Sequence, residues 1–238
     1  QGPVFKGFGM VLPERVVDCH GVEHAVSGYT ADAAWRRQND TVRETLRREF
    51  DHVTLLCDSV NYPRTLASGF DGIAIYDPFV GPSLYPEIAG LATRSGLLFS
   101  LNVNAGFDGI EPRDIEPGSC YSPPEFLPPT FGLSWSRAEH RETAAQRSAD
   151  RIRESFAAAL AVQTSPALAN DRRGFFLLYV NSFNEWHEGT AFEPMRDAAA
   201  LGDVERAFGY HNPARGDYRL SVLGELLRPL VQAPAAAA

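Results

Sequence analysis

Short apolar runs alternate with stretches of helical spacing through the middle of the chain. Residues 53–57, 72–77, 97–104 and 175–180 are brief, strongly apolar runs of strand length, which predicts strands buried on both faces. Between them, 62–68 and 82–93 predict short helical crossovers, closed at Gly69 and at Ser95-Gly96. Strand, helix, strand, helix, strand is the pattern of a parallel sheet wrapped by helices.

Longer helices flank this core. Residues 141–162 carry Ala145, Ala149, Ile152, Phe156, Ala159 and Leu160 at three- and four-residue spacing, with Arg147, Asp150, Arg151, Arg153 and Glu154 expected on the opposite, solvated face. Thr30 is the expected N-cap of a helix over 30–50 with a broken apolar stripe. Its arginines Arg36, Arg37, Arg43, Arg47 and Arg48 read as a wet face. Leu220, Leu223, Leu226 and Leu227 predict an amphipathic closing helix over 218–230, while 195–208 shows no clear period. Near the start, 4–12 is a strand candidate weakened by Gly7 and Gly9, and 13–29 reads as irregular. Residues 106–130 break the rhythm with prolines at 112, 117, 123, 124, 128 and 129. A long loop after a strand, on the side where barrel active sites lie, predicts a wall or lid of a cleft. No linker or shift in composition marks a second domain, so residues 1–238 read as one.

Composition narrows the function classes. The 238 residues are 44% hydrophobic and 22% charged, ordinary for a globular domain. A net charge of -8 and the absence of a basic run with interleaved aromatics argue against a nucleic-acid partner. No apolar run is long enough to span a membrane, and no signal peptide is visible. Cys57 falls in a predicted strand and reads as a buried small hydrophobe, whereas Cys19 and Cys120 could pair. His20 and His24 read as solvated loop residues rather than as metal ligands.

The chemistry concentrates after the run 175–180, in Ser182-Phe183-Asn184-Glu185-Trp186-His187-Glu188-Gly189-Thr190. In an extended strand Glu185 and Glu188 would point to opposite faces, but in a turn their Cβ atoms approach to roughly 5–6 Å. Two carboxyls about 5 Å apart suit retaining glycoside hydrolysis, where one is protonated and the other ionised. Mutual repulsion and packing against Trp186 would split their pKa values. Trp186 and Tyr76 offer flat faces on which sugar rings stack, and Asn184 and His187 offer hydrogen bonds to hydroxyls. A zinc site from Glu185, His187 and Glu188 would need a fourth ligand from elsewhere, so no metal is expected.

That string resembles the signature of glycoside hydrolase family 99, the endo-α-1,2-mannosidases and mannanases. The segment 67–76, ending Ile73-Ala74-Ile75-Tyr76, is similar to the family's strand with an active-site tyrosine. Residues 98–108, 157–166 and Tyr210-His211-Asn212-Pro213 extend the resemblance over about 50–230. It implies a (β/α)8 TIM-type barrel, incomplete here because about five or six strands are countable where eight are needed, with the N-terminal strands absent. The chain would then be the C-terminal portion of such a barrel.

The resemblance further implies a retaining mechanism acting on α-mannosidic oligo- or polysaccharides. Glu185 would act as base on the sugar 2-hydroxyl and Glu188 as general acid/base, with Tyr76 beside the anomeric centre. No cofactor is implied, and a secreted or periplasmic location is. Ala191-Phe192 stands where the family usually has Gln-Ile, and Ile110-Glu111-Pro112-Arg113 follows the Gly106-Phe107-Asp108 turn in place of the family's Arg-Pro-Trp. The alternatives are a related glycosyltransferase-like barrel of polysaccharide biosynthesis, whose motif usually has Ala at the position of His187, and a non-catalytic glycan-binding fragment.

Overall fold

The structure, a computed structural model, describes residues 15–25, 31–106, 137–185, 189–207 and 215–232. The strand candidate at 4–12, most of the 106–130 loop, and Trp186, His187 and Glu188 lie outside the described residues.

A hairpin comes first. Strands β1 (Arg15–Val17) and β2 (Glu23–Ala25) pair antiparallel, Val16 opposite His24, in the region expected to be irregular. Strands of three residues are too short to leave a periodic signal. Asp18 stabilises the turn by accepting from the His20 and Val22 backbone N–H groups and pairing with His24 Nε2 at 2.6 Å. Cys19 is disulfide-bonded and Cys57 is a free thiol.

Helix α1 (Asp32–Leu46) leads into strand β3 (Leu56–Cys57), helix α2 (Tyr62–Ala67) and strand β4 (Gly72–Ile75). A 3-10 turn at Pro82–Leu84 opens helix α3 (Tyr85–Arg94), followed by strand β5 (Leu98–Asn104). Helix α4 (Ala138–Gln163), the short α5 (Ala169–Arg172) and strand β6 (Tyr179–Asn181) come next. Helices α6 (Asp203–Ala207) and α7 (Tyr218–Gln232) close the chain. The predicted helices at 62–68, 82–93, 141–162 and 218–230 are thus present, each within a few residues.

Strands β3, β4, β5 and β6 form one parallel four-stranded sheet in chain order. Parallel neighbours need crossovers, which α2, α3 and α4 supply. Consecutive order without reversal is how a barrel wall is wound; a doubly wound sheet reverses at a switch point. Ile73, Ile75, Phe99 and Leu101 pack with Tyr85, Ile88, Ala89 and Ala92 of α3 and with Ala159 and Val162 of α4. Val103, Ile152, Phe156, Val222 and Leu223 form a second cluster that seats α7 on α4. At Gly72 a Cβ would lie 2.4 Å from the Leu98 carbonyl oxygen, so only glycine lets β4 approach β5 this closely.

Three expectations need correction. The run 175–180 is not a fully buried strand: β6 begins at Tyr179, and Phe176, Leu177 and Val180 are exposed. The Asn170 side chain occupies the ladder positions instead, accepting from Phe99 N–H and donating to Phe99 C=O, to which Gln163 also donates. Arg151 is not on a wet face but is buried, donating to the Pro78 and Val80 carbonyls and to Asn104 Oδ1. Arg36 and Arg43 are likewise not merely solvated. They reach the last carbonyls of α2 and the Gly69 carbonyl, and Arg43 also pairs with Asp71 at 2.7 Å. The C-terminal end of α2 carries the negative pole of the helix, which draws in the cations.

Candidate functional site

The C-terminal ends of the parallel strands gather the polar side chains. Register aligns Asn102 with Tyr179 and Asn104 with Asn181, so these four share a face, alternating with the helix-packed Leu101 and Val103. Asp58 lies just past β3, and Tyr76 and Asp77 just past β4.

Beyond the end of β4 at Ile75, side chains hold the chain at Tyr76. Asn102 Nδ2 donates to the Ile75 and Tyr76 carbonyls at 3.0 and 2.7 Å. Asn181 Nδ2 donates to the same Tyr76 carbonyl at 2.6 Å. Asp58 Oδ1 accepts from the Tyr76 N–H at 3.3 Å, and Asp77 Oδ1 from Phe79 N–H at 2.8 Å. With its backbone clamped, the Tyr76 side chain remains 43% exposed.

Beneath it, the Tyr85 hydroxyl donates to Asn102 O or Oδ1, at 2.9 and 3.0 Å. Asn104 Nδ2 bonds Asn102 Oδ1, while Arg151 Nε and the Gly106 N–H donate to Asn104 Oδ1. Burial pushes the Tyr85 phenol up to about 12, against the opposing charge of Arg151. Burial also raises the Tyr179 phenol, with the Asp58 charge adding to it. Asp58 itself is raised, first by burial and then by the neighbouring Asp77.

Strand β6 delivers the motif. The Asn181–Ser182 peptide is cis. Ser182 Oγ accepts from the Glu185 N–H at 3.0 Å, the bond of a serine N-cap with glutamate three residues on. This bends 182–185 off the strand direction into a turn. Ser182 and Thr190 hydroxyls meet at 3.0 Å, and Phe192 N–H bonds the Ser182 carbonyl at 2.9 Å, so the two ends of the motif are stapled. Gly189, at φ 62°, takes the left-handed conformation that brings the chain back. From α7, the buried Arg219 donates through Nη1 to the Gly189 and Ala191 carbonyls at 2.6 and 2.7 Å.

Of the predicted site residues, Glu185 is half-buried at the end of the capped turn, Asn184 is exposed beside it, and Tyr76 sits on the same rim of the sheet. The separation of the two glutamates involves Glu188, outside the described residues, as do the placements of Trp186 and His187. Asp58, Asn102, Asn104, Asn181 and Arg219 were not singled out as site residues by the sequence, and Arg151 was read as part of a solvated face. The available signal was Ser100, Asn102 and Asn104 at two-residue spacing among apolar residues of one strand, which is where a polar face would show. Among the described residues no group of three or more histidines, cysteines or carboxylates could hold a metal, and no helix is long and apolar enough to cross a membrane.

No family model and no curated protein matches the chain. Its structure is similar to that of the glycoside hydrolase family 99 endo-α-mannosidase from Bacteroides thetaiotaomicron. The two share 21% identity and a TM-score of 0.52, over 86% of this chain and 52% of that one. A second structure of that family's endo-α-mannosidase, in complex with BIS-TRIS-propane, gives 20% identity and a TM-score of 0.48, over 84% and 55%. The chain thus spans about half the length of the enzymes it matches. The described sheet, parallel and wound in order, has the α/β fold of part of that endo-α-mannosidase.

Proposed function

We propose that the chain is a sector of a (β/α)8 barrel from a retaining glycoside hydrolase acting on α-mannosidic linkages, with residues 1–238 forming one catalytic-type unit. The observation that supports this best is the Ser182-capped turn at the end of β6, which brings Glu185 to the same rim as Tyr76 in a fold like that of an endo-α-mannosidase.

In this reading Glu185 takes the proton from the sugar 2-hydroxyl. The 2-oxygen then attacks the anomeric carbon as the glycosidic C–O bond breaks, and Glu188 gives its proton to the departing oxygen. A 1,2-anhydro sugar results. Glu188, now ionised, removes a proton from water, which opens the three-membered ring at the anomeric carbon, and the 2-oxygen recovers its proton from Glu185. Two inversions give net retention. Tyr76 and Trp186 form stacking faces, and Asn184 and His187 bond the hydroxyls. A neutral oligo- or polysaccharide substrate suits this set, and neither metal nor organic cofactor takes part.

The test is release of reducing ends from an α-1,2-mannan, with Glu188→Gln abolishing release while mannan binding survives. Binding without turnover in the unmutated chain would overturn hydrolysis and favour a glycan-binding role.

A further inference from the structure

Strands β4 and β6 are not neighbours, since β5 lies between them. Yet Asn181, the last residue of β6, donates to the carbonyl of Tyr76 at 2.6 Å, across 105 residues of chain. Asn181 is 1% exposed, and its Oδ1 is buried with no hydrogen-bond partner among the described residues. An unsatisfied buried acceptor costs stability, which an aliphatic side chain at this position would avoid. What asparagine supplies here is the donor to Tyr76. The reverse rotamer would set Oδ1 against the Tyr76 oxygen, so the amide orientation is fixed by that bond. Immediately after Asn181 the chain enters the turn in which Ser182 caps Glu185.

We infer that Asn181 is a positioning residue that couples the loop carrying Tyr76 to the turn carrying Glu185, so that the stacking face and the carboxylate keep a fixed relation to one sugar ring. This rests on the proposed reading of Tyr76 and Glu185 as site residues. Asn102 donates to the same carbonyl from β5 and Arg151 holds the next carbonyls of the loop from α4, so loss of Asn181 releases the coupling without releasing the loop. The effect should fall on the relation between loops rather than on the fold.

The test uses the chain labelled with 3-fluorotyrosine, with the Tyr76 fluorine line assigned by Tyr76→Phe. Asn181→Asp keeps the shape but replaces the donor by a carboxylate facing the carbonyl. At neutral pH its Tyr76 line should shift or broaden, and its kcat/KM on α-1,2-mannan should fall about 100-fold, the cost of roughly 1 Å of misplacement. On acidification the introduced carboxyl gains a proton, donates again, and both readouts return toward the unmutated chain. Asp58, which bonds the Tyr76 N–H, faces this cluster with Tyr179 and Tyr85, and Asp77 lies near Asp58, so the comparison is made with the unmutated chain at each pH. Should Asn181→Asp not fold, Asn181→Ser, whose hydroxyl is too short to reach, should shift the line without acid recovery.

A Tyr76 line unchanged in both variants, or changed equally at neutral and acid pH in Asn181→Asp, overturns the inference. An unmutated chain that releases no sugar sinks the glycosidase reading, while the fluorine line still decides the role of Asn181.

Discussion

Replacing Arg219 by alanine should loosen the end of the motif and destabilise the domain. Arg219 is 3% exposed, and one of its nitrogens serves two carbonyls, Gly189 at 2.6 Å and Ala191 at 2.7 Å, both on buried residues. Its Nε also donates to the Tyr218 hydroxyl at 3.1 Å. Hydrogen bonds to a charged group contribute about 1.5–3 kcal/mol each, and truncation leaves the carbonyls buried without a donor, so a loss of about 3–5 kcal/mol is expected. For a domain of this size that lowers Tm by roughly 10–15 °C. Arg219→Lys keeps a cation within reach of one carbonyl and should lose about half as much. Urea denaturation followed by circular dichroism gives the stability change, and limited proteolysis near Gly189 reports the loop. A loss below about 1 kcal/mol for Arg219→Ala, with unchanged cleavage, would refute the assignment of the two carbonyl bonds as the loop's anchor.

Three other substitutions probe the sheet, the turn and the site carboxyl. Gly72→Ala places a methyl 2.4 Å from the Leu98 oxygen and 2.7 Å from its carbon, both backbone, so β4 and β5 must separate; a loss of about 1–3 kcal/mol is expected by urea titration. Ser182→Ala removes the acceptor of the Glu185 N–H and should cost about 1 kcal/mol by the same titration, whereas Ser182→Thr keeps most of it. Burial holds the Asp58 carboxyl above its ordinary 3.8, so the folded state binds the proton more tightly than the unfolded chain. Stability on this account is fully present below pH 3.8 and falls as pH rises through the raised value. Asn in place of Asp58 should therefore flatten that fall while keeping the acceptor for Tyr76 N–H, and urea midpoints measured from pH 3 to pH 7 check it.

The sheet was legible because its strands are short apolar runs separated by helical crossovers, and consecutive order follows from that alternation. Strand ends were less so. The run 175–180 looks like a strand of six residues, but Asn170 and Gln163 satisfy Phe99 and leave only Tyr179–Asn181 to the ladder. Periodicity also misplaces arginines. Arg151 lies on a face that reads as polar, yet its long side chain reaches the Pro78 and Val80 carbonyls, and acceptors from a loop over 70 residues away leave no mark in local spacing. In the candidate site, the Ser182–Glu185 turn could be anticipated from the amide-rich entry and Gly189. Its supports could not, since Asn102, Asn181 and Arg219 act on backbone carbonyls, which every residue has.

The central claim is a retaining glycosidase centred on Glu185 and Glu188. The most direct measurement is the proton NMR spectrum of the first sugar released from an α-1,2-linked manno-oligosaccharide, recorded before mutarotation. The account predicts the α-anomer, lost in Glu188→Gln and in Glu185→Gln. A β-anomer as first product, or equal release from both variants, would contradict it.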